Sequence, residues 1–251
     1  MRFTVRMANM NIAIDSVHDK LQKFCRDYCV PECEPDFSIQ IKPEDIEAER
    51  TEENEYRFKP EYLETVALHR KMAEKFLDYN RVLLHGAVFT YDNKGAFLFT
   101  APSGTGKTTH IRQWKTFFGD KVKIVNGDKP FLEVRENGIQ VYGSPWAGKE
   151  GWHKNRDAEL KGICYIKRGT ECSVRRLEPS EILNWLLSQI YFLPSKMLQT
   201  LDYVERILEF VPVYELTCDI SEEAVKQSFE ALTGLEYEKN AIKQEGKKDE
   251  N

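Results

Sequence analysis

The stretch Ala101-Pro102-Ser103-Gly104-Thr105-Gly106-Lys107-Thr108 has the residue types and spacing of a loop that cradles phosphate, with alanine at the first glycine position. Glycines let successive backbone N–H groups turn toward one point, and a helix beginning at the end of the loop adds the positive end of its dipole. A lysine at position 107 suits bridging of β and γ phosphates. The Thr108 hydroxyl suits Mg²⁺, whose charge partner is most naturally an acidic residue ending a neighbouring strand. The expected cradle is Ser103, Gly104, Thr105, Gly106, Lys107, Thr108 and Thr109, and the expected cofactors are ATP and Mg²⁺.

Asp128 is the candidate for that acid, because it follows the expected strand over 122–125 through Asn126 and Gly127. In a Gly-Asp-Lys-Pro setting the same residue also serves as a plain turn former. Its neighbour Lys129 is placed to face phosphate. The segment Tyr142-Gly143-Ser144-Pro145-Trp146-Ala147-Gly148-Lys149 either lets a ligand approach its backbone, with Trp146 and Lys149 contacting substrate, or packs Trp146 into the core. Arg168 reads equally as a phosphate-side cation and as a surface charge.

These residues need a scaffold that puts a strand before the loop and a helix after it. Residues 96–100 form an apolar strand and 110–118 a helix-compatible run. Before them, residues 82–84 and 88–89 read as a strand, with turn chemistry at 92–95. After them, strands are expected at 122–125, 131–134, 139–142 and 162–166, the middle pair joined by an Asn137-Gly138 turn. Helical periodicity covers 181–191 and 198–210, followed by a strand over 211–217 and a helix opened by Ser221 with Glu222 and Glu223 in its first turn. The first 80 residues predict a hairpin from Phe3, Val5 and Met7 with Ile12 and Ile14. A helix capped by Ser16 and running through Cys25 follows, then a strand at 37–41 and a helix from Pro60 whose apolar face carries Leu63, Val66, Ala67, Met72, Ala73, Phe76 and Leu77. Residues 44–53 are acidic and poor in apolar side chains, which predicts a loop or frayed turn. The expected division is an α+β region over 1–80, an α/β nucleotide-binding core over 81–235 with a helical final third, and a disordered charged tail over 236–251.

The chain has 251 residues, 41% hydrophobic and 31% charged, with a formal net charge of −5. That balance argues against a nucleic-acid backbone as main partner. The longest apolar runs fall far short of the roughly 20 residues that span a bilayer. The first 15 residues alternate apolar and polar and include Asp15, where a secretory signal has an unbroken apolar run, so the expected location is cytoplasmic.

The runs LLHGAVFTYDNKGAFLFTAPSGTGKTTHIRQW, IVNGDKPFL and YGSPWAGKEGWHKN resemble the catalytic core shared by HPr kinase/phosphorylase and ATP-dependent phosphoenolpyruvate carboxykinase. More narrowly, they resemble a small bacterial group of HPr-kinase-related proteins, some associated with peptide modification. The resemblance covers about residues 80–170. It implies a nucleotide-binding core of that type and an active-site role for His85, which stands in the His-Gly setting of both families. HPr kinases carry paired aspartates where this chain has Gly127-Asp128. Asp128 then handles metal and proton together, or His85 takes the proton, or a nucleotide-binding scaffold remains. With His85, Lys107 and Asp128 as catalytic residues, the expectation is a Mg-ATP-dependent kinase acting on a hydroxyl of a peptide, protein or small molecule, a peptide or protein serine being favoured. The alternatives are a non-catalytic nucleotide-binding scaffold or sensor and a carboxykinase-like phosphotransferase. The acceptor and the oligomeric state are left open.

Cys25, Cys29 and Cys33 are spaced C-x3-C-x3-C, read as semi-buried thiols on a helix that ends before Pro31. A structural zinc site wants four ligands, and His18 is the nearest further candidate. Elemental analysis of protein purified without chelators is expected to find no stoichiometric metal. About one equivalent of zinc or iron, lost on replacing the three cysteines with alanine, contradicts this.

Overall fold

The computed structural model describes residues 1–51, 58–191 and 193–238. Its N-terminal sheet is built on a hairpin of β1 (Arg2–Met7) and β2 (Met10–Asp15), closed by Ala8 and Asn9 in left-handed conformations (φ 48° and 59°). A turn of that hand matches the twist of the strands it joins. Two strands flank the hairpin, β3 (Cys29–Val30) antiparallel to β1 and β4 (Phe37–Gln40) parallel to β2. Three helices accompany the sheet: α1 (Lys20–Phe24), α2 (Pro43–Glu47) and α3 (Pro60–Phe76). Val5, Ile12 and Ile14 from the hairpin meet Leu63, Leu68, Met72 and Phe76 of α3 in one core, which continues into Leu83, Phe131 and Tyr142 beyond residue 80.

Several expectations for this region are corrected. The Ser16 hydroxyl donates to the Met1 carbonyl (3.2 Å) and caps nothing; α1 begins at Lys20. Cys25 ends α1 and Cys29 lies in β3, so the cysteines share no helix face. Cys25 is buried, which pushes its thiol well up, and Cys33 is exposed. Residues 43–47 are helical, because Pro43 is preorganised for a first turn and the Asp45 carboxylate accepts from the Lys42 N–H (2.8 Å). Glu52 and Glu53, like tail residues 239–251, lie outside the described residues.

The larger sheet runs in the order β5 (Arg81–Leu83), β9 (Phe131–Arg135), β10 (Gly138–Tyr142), β11 (Asp157–Arg168), β7 (Ala96–Thr100), β6 (Ala87–Tyr91) and β8 (Val122–Asn126). The twelve-residue β11 takes β10 along its first residues and β13 (Val213–Cys218) along its last, with β12 (Ser173–Leu177) outside β13. Its pairings with β7 and β13 are parallel. β12 and β3 have no counterpart in the sequence reading, and the predicted strand over 82–89 is two strands separated by Leu84–Gly86. Helices α4 (Lys107–Phe118) and α7 (Glu222–Thr233) contribute to the core on one face through Trp114, Phe118 and Phe229. Helices α5 (Pro179–Ser188) and α6 (Met197–Phe210) contribute to the other through Leu186, Val204 and Ile207. Both faces being covered explains why β7 is buried throughout: Leu98 belongs to one core and Phe97 and Phe99 to the other.

Glu64 is the most demanding polar residue of α3. Its side chain is fully buried and accepts from the Val17 N–H (2.6 Å), the His18 N–H (3.1 Å) and His18 Nδ1 (2.8 Å). Glu64→Ala orphans these donors and is expected to cost on the order of 3 kcal/mol. Glu64→Gln, which keeps an acceptor oxygen, should lose markedly less. Urea unfolding followed by circular dichroism checks the order; equal losses contradict it.

Candidate active site

The glycine-rich segment connects β7 to α4. Gly104 and Gly106 hold φ of 77° and 124°, and a Cβ at either would meet nothing within 4 Å. Backbone conformation, not space, therefore demands glycine here. Lys107 opens α4 buried, its Nζ donating to the Ala101 carbonyl (3.0 Å). Burial lowers its pKa; the Asp128 charge opposes the shift and Lys129 adds to it. Thr108 is half-buried, while Ser103, Gly104 and Thr109 are exposed. Arg168, at the end of β11, donates to the Thr105 carbonyl (3.0 Å) and to that of Gly104. It engages the loop's carbonyls and is more than a surface charge.

His85, in the link between β5 and β6, comes together with Asp128, in the turn between β8 and β9. Residues 189–191, just after α5, run strand-like against 83–85: the His85 N–H donates to the Gln189 carbonyl (2.8 Å) and the Tyr191 N–H to the Leu83 carbonyl (3.1 Å). The Gly86 N–H donates to the Asp128 carbonyl (2.9 Å). His85 Nε2 is then 3.2 Å from Asp128 Oδ1, and Nδ1 is 3.0 Å from the Gln189 side-chain oxygen. Burial alone would raise the Asp128 pKa. The hydrogen bond from His85, with the charges of Lys129, His85 and Lys107, holds it below the usual carboxylate value instead.

The turn carrying Asp128 is shaped by Asn126. This fully buried residue accepts the N–H groups of Asp128 (2.8 Å) and Lys129 (2.7 Å) and donates to the Ser144 carbonyl (2.8 Å). Gly127 has its space filled: a Cβ there would stand 3.0 Å from the Ala147 carbonyl oxygen and 3.2 Å from Trp152 Cβ, and its N–H donates to the Trp152 carbonyl (2.7 Å). Gly143 admits no side chain, since a Cβ would lie 1.9 Å from the Lys154 carbonyl oxygen. Gly148 (φ 67°) passes the Asp128 side chain closely, since a Cβ on it would stand 3.2 Å from Asp128 Cβ. Trp146 is placed in the N-terminal core, its ring against Phe24, Phe131 and His69 and its Nε1 donating to the Thr65 carbonyl (3.0 Å). Lys149 is exposed on the turn after Gly148.

A pocket of about 440 Å³ joins these parts. His69, His85, Lys129, Trp185 and Gln189 line it, and it reaches the glycine-rich segment at Pro102 and Ser103. A second cavity, about 420 Å³, opens across the loop beside Tyr165 and Arg168. His69, Trp185 and Gln189 are absent from the sequence reading. No motif marks the last two; His69 shows only as a polar residue within the apolar stripe of α3.

No family model matches the chain, and no curated protein matches it. Among solved structures it has similarity to the HPr(Ser) kinase/phosphatase from Coxiella burnetii, at 13% identity over 48% of this chain and 86% of that one, with a TM-score of 0.27. The structural relationship is distant.

Burial drives the His69 imidazole down to about 4, with Lys129 adding to the shift and Asp128 opposing it; burial does the same to His110, also to about 4. An unfolded chain protonates both near pH 6.5. The folded protein takes up these protons only near pH 4, so between the two values acidification favours unfolding and stability rises with pH. Ring-proton NMR should show both histidines titrating near pH 4, and the melting temperature should fall as pH drops from 6.5 toward 4. Titration of His69 and His110 near 6.5 in the folded protein contradicts this.

Proposed function

We propose that the chain is a Mg-ATP-dependent phosphotransferase that moves a γ-phosphoryl group to a hydroxyl of a peptide, protein or small molecule, a serine hydroxyl being favoured. The observation that carries this reading is one pocket lined both by the start of the glycine-rich segment, Pro102 and Ser103, and by His85, whose imidazole contacts the Asp128 carboxylate behind it. Phosphoryl transfer asks mainly for positioning and charge neutralisation. The backbone N–H groups of residues 103–109 would bind phosphate oxygens, with Lys107 reaching the β and γ groups. Thr108 and Asp128 would hold Mg²⁺. The donor set fits, because Asp128 turns Oδ1 to His85 and keeps its charge. When bound, the metal neutralises charge on the transferred group. The acceptor hydroxyl's proton passes to the His85–Asp128 pair, in which the Gln189 side chain fixes the ring by its contact with Nδ1.

A nucleotide-binding scaffold is the second reading. It is favoured by Gly127, where the neighbouring 147–152 loop fills the room a second carboxylate would need.

Mg-ATP at about 100 times its dissociation constant should stabilise the protein by about 2.7 kcal/mol. Lys107→Ala should remove most of the resulting melting shift, and an unchanged melting curve with millimolar Mg-ATP defeats both readings. His85→Ala separates them. For a kinase it lowers turnover, or background ATP hydrolysis, by roughly 10²–10⁴-fold while the Mg-ATP shift persists. A shift without measurable turnover in the unaltered protein leaves the scaffold.

A further inference from the structure

Residues lining the pocket beside His85 carry polar side-chain atoms that have no hydrogen-bond partner among the described residues. Trp185 Nε1 and His69 Nε2 are both buried without a partner among the described residues. The half-buried Lys129 ammonium has the Asp128 charge near it, but no hydrogen-bond acceptor for it is found among those residues. Buried polar groups are normally satisfied, and leaving one unmade costs about 1–3 kcal/mol, so two beside one cavity, next to an ammonium without a hydrogen-bond acceptor, call for an explanation. Two other indole N–H groups are spent: Trp114 Nε1 donates to Ser228 Oγ (2.8 Å) and Trp146 Nε1 to the Thr65 carbonyl.

We infer that this pocket takes a carboxylate, and that the phosphoryl acceptor is a small hydroxy acid or hydroxy amino acid whose carboxylate meets Lys129, Trp185 and His69 while its hydroxyl faces His85 and the loop. This rests on the phosphotransferase reading for the role of the hydroxyl; the carboxylate site stands on the pocket alone. The tryptophan N–H can only donate, and a lysine ammonium can only donate, so the complement is an acceptor-only group. Lys129 is the one Lys or Arg among the lining residues and no Asp or Glu joins it there, which matches a monoanion better than a phosphate dianion. A volume of about 440 Å³ suits a small molecule or a single terminal residue. His69 is neutral at physiological pH, so it adds a hydrogen bond without a second positive charge.

In the transfer itself the hydroxyl oxygen bonds to the γ-phosphorus as the bond from that phosphorus to the β–γ bridging oxygen breaks. ADP leaves with the electron pair, and the hydroxyl proton passes to the His85–Asp128 pair. Both orphaned ring nitrogens are shut off from bulk water. A carboxylate can reach them only once the rings rotate toward the cavity, and that movement gives the test its optical signal.

Calorimetry and intrinsic fluorescence with D-glycerate, L-serine and a short peptide ending in serine, each against its ester or amide, test the inference without nucleotide. The free acids should bind, and the esters and amides should bind at least about tenfold more weakly. Trp185→Phe, which keeps an aromatic ring against Tyr165 but removes the N–H, should weaken acid binding roughly tenfold, abolish most of the fluorescence change, and leave the Mg-ATP melting shift unaltered. Tighter binding of the free small acids than of the peptide identifies a metabolite as the source; the reverse identifies a chain terminus. Equal binding of acid and amide, or no binding at about 20 mM acid, overturns the carboxylate site. An intact Mg-ATP shift then leaves the phosphotransferase reading standing, whereas acid binding without any Mg-ATP response retains the site and removes that reading.

Discussion

A buried amide, Asn126, fixes the turn on which the candidate site depends. Carried to the end of β8, it uses its oxygen to collect the N–H groups of residues 128 and 129 and its nitrogen to hold the Ser144 carbonyl. Those bonds are made in the interior, where each would be expensive to leave unmade. They place the Asp128 carboxylate toward His85, aim Lys129 into the pocket, and tie the 143–153 segment to the same turn. Replacing this amide by an apolar side chain would release three backbone groups at once, which is why one residue without chemistry of its own governs several that have it.

The glycine-rich segment is supported from both sides by different means. From within, Lys107 folds back onto the Ala101 carbonyl, so the cation is held by the chain that follows β7. From outside, Arg168 holds the carbonyls of Gly104 and Thr105. The two contacts tie the loop to the end of β11. The parallel pairing of β7 with β11 sets this up, because it brings the end of β11 beside the end of β7.

The N-terminal sheet contributes to the site as well as sharing its core. His69 and the Trp146 anchor point at Thr65 both lie on α3. Ring contacts among His69, Trp146 and Tyr191 then join α3, the 143–153 segment and the strand-like 189–191 stretch around one end of the pocket. A pocket wall drawn from the two regions explains how a neutral histidine from a helix outside the glycine-rich core comes to face Lys129.

The sequence by itself determined the features that depend on near neighbours. The hairpin follows from alternation at Phe3, Val5, Ile12 and Ile14, α3 from a stripe of apolar residues behind Pro60, and the strand–loop–helix over 96–118 from an apolar run meeting Gly104, Gly106 and Lys107. Each is written in spacings of two to four residues. Local signals also misled: Ser16 looks like a helix cap, and residues 44–47 look too acidic for a helix until Pro43 and Asp45 are seen to build its first turn. Only the tertiary structure decided the contacts that cross the chain. His85 meets Gln189 across 104 residues and Arg168 meets Thr105 across 63, and neither spacing leaves a periodic trace. The meaning of Gly127 is of the same kind. In the sequence it is an absent carboxylate; in the fold it is a place already taken by Ala147 and Trp152, because the strand pairings carry the 143–153 segment over the turn.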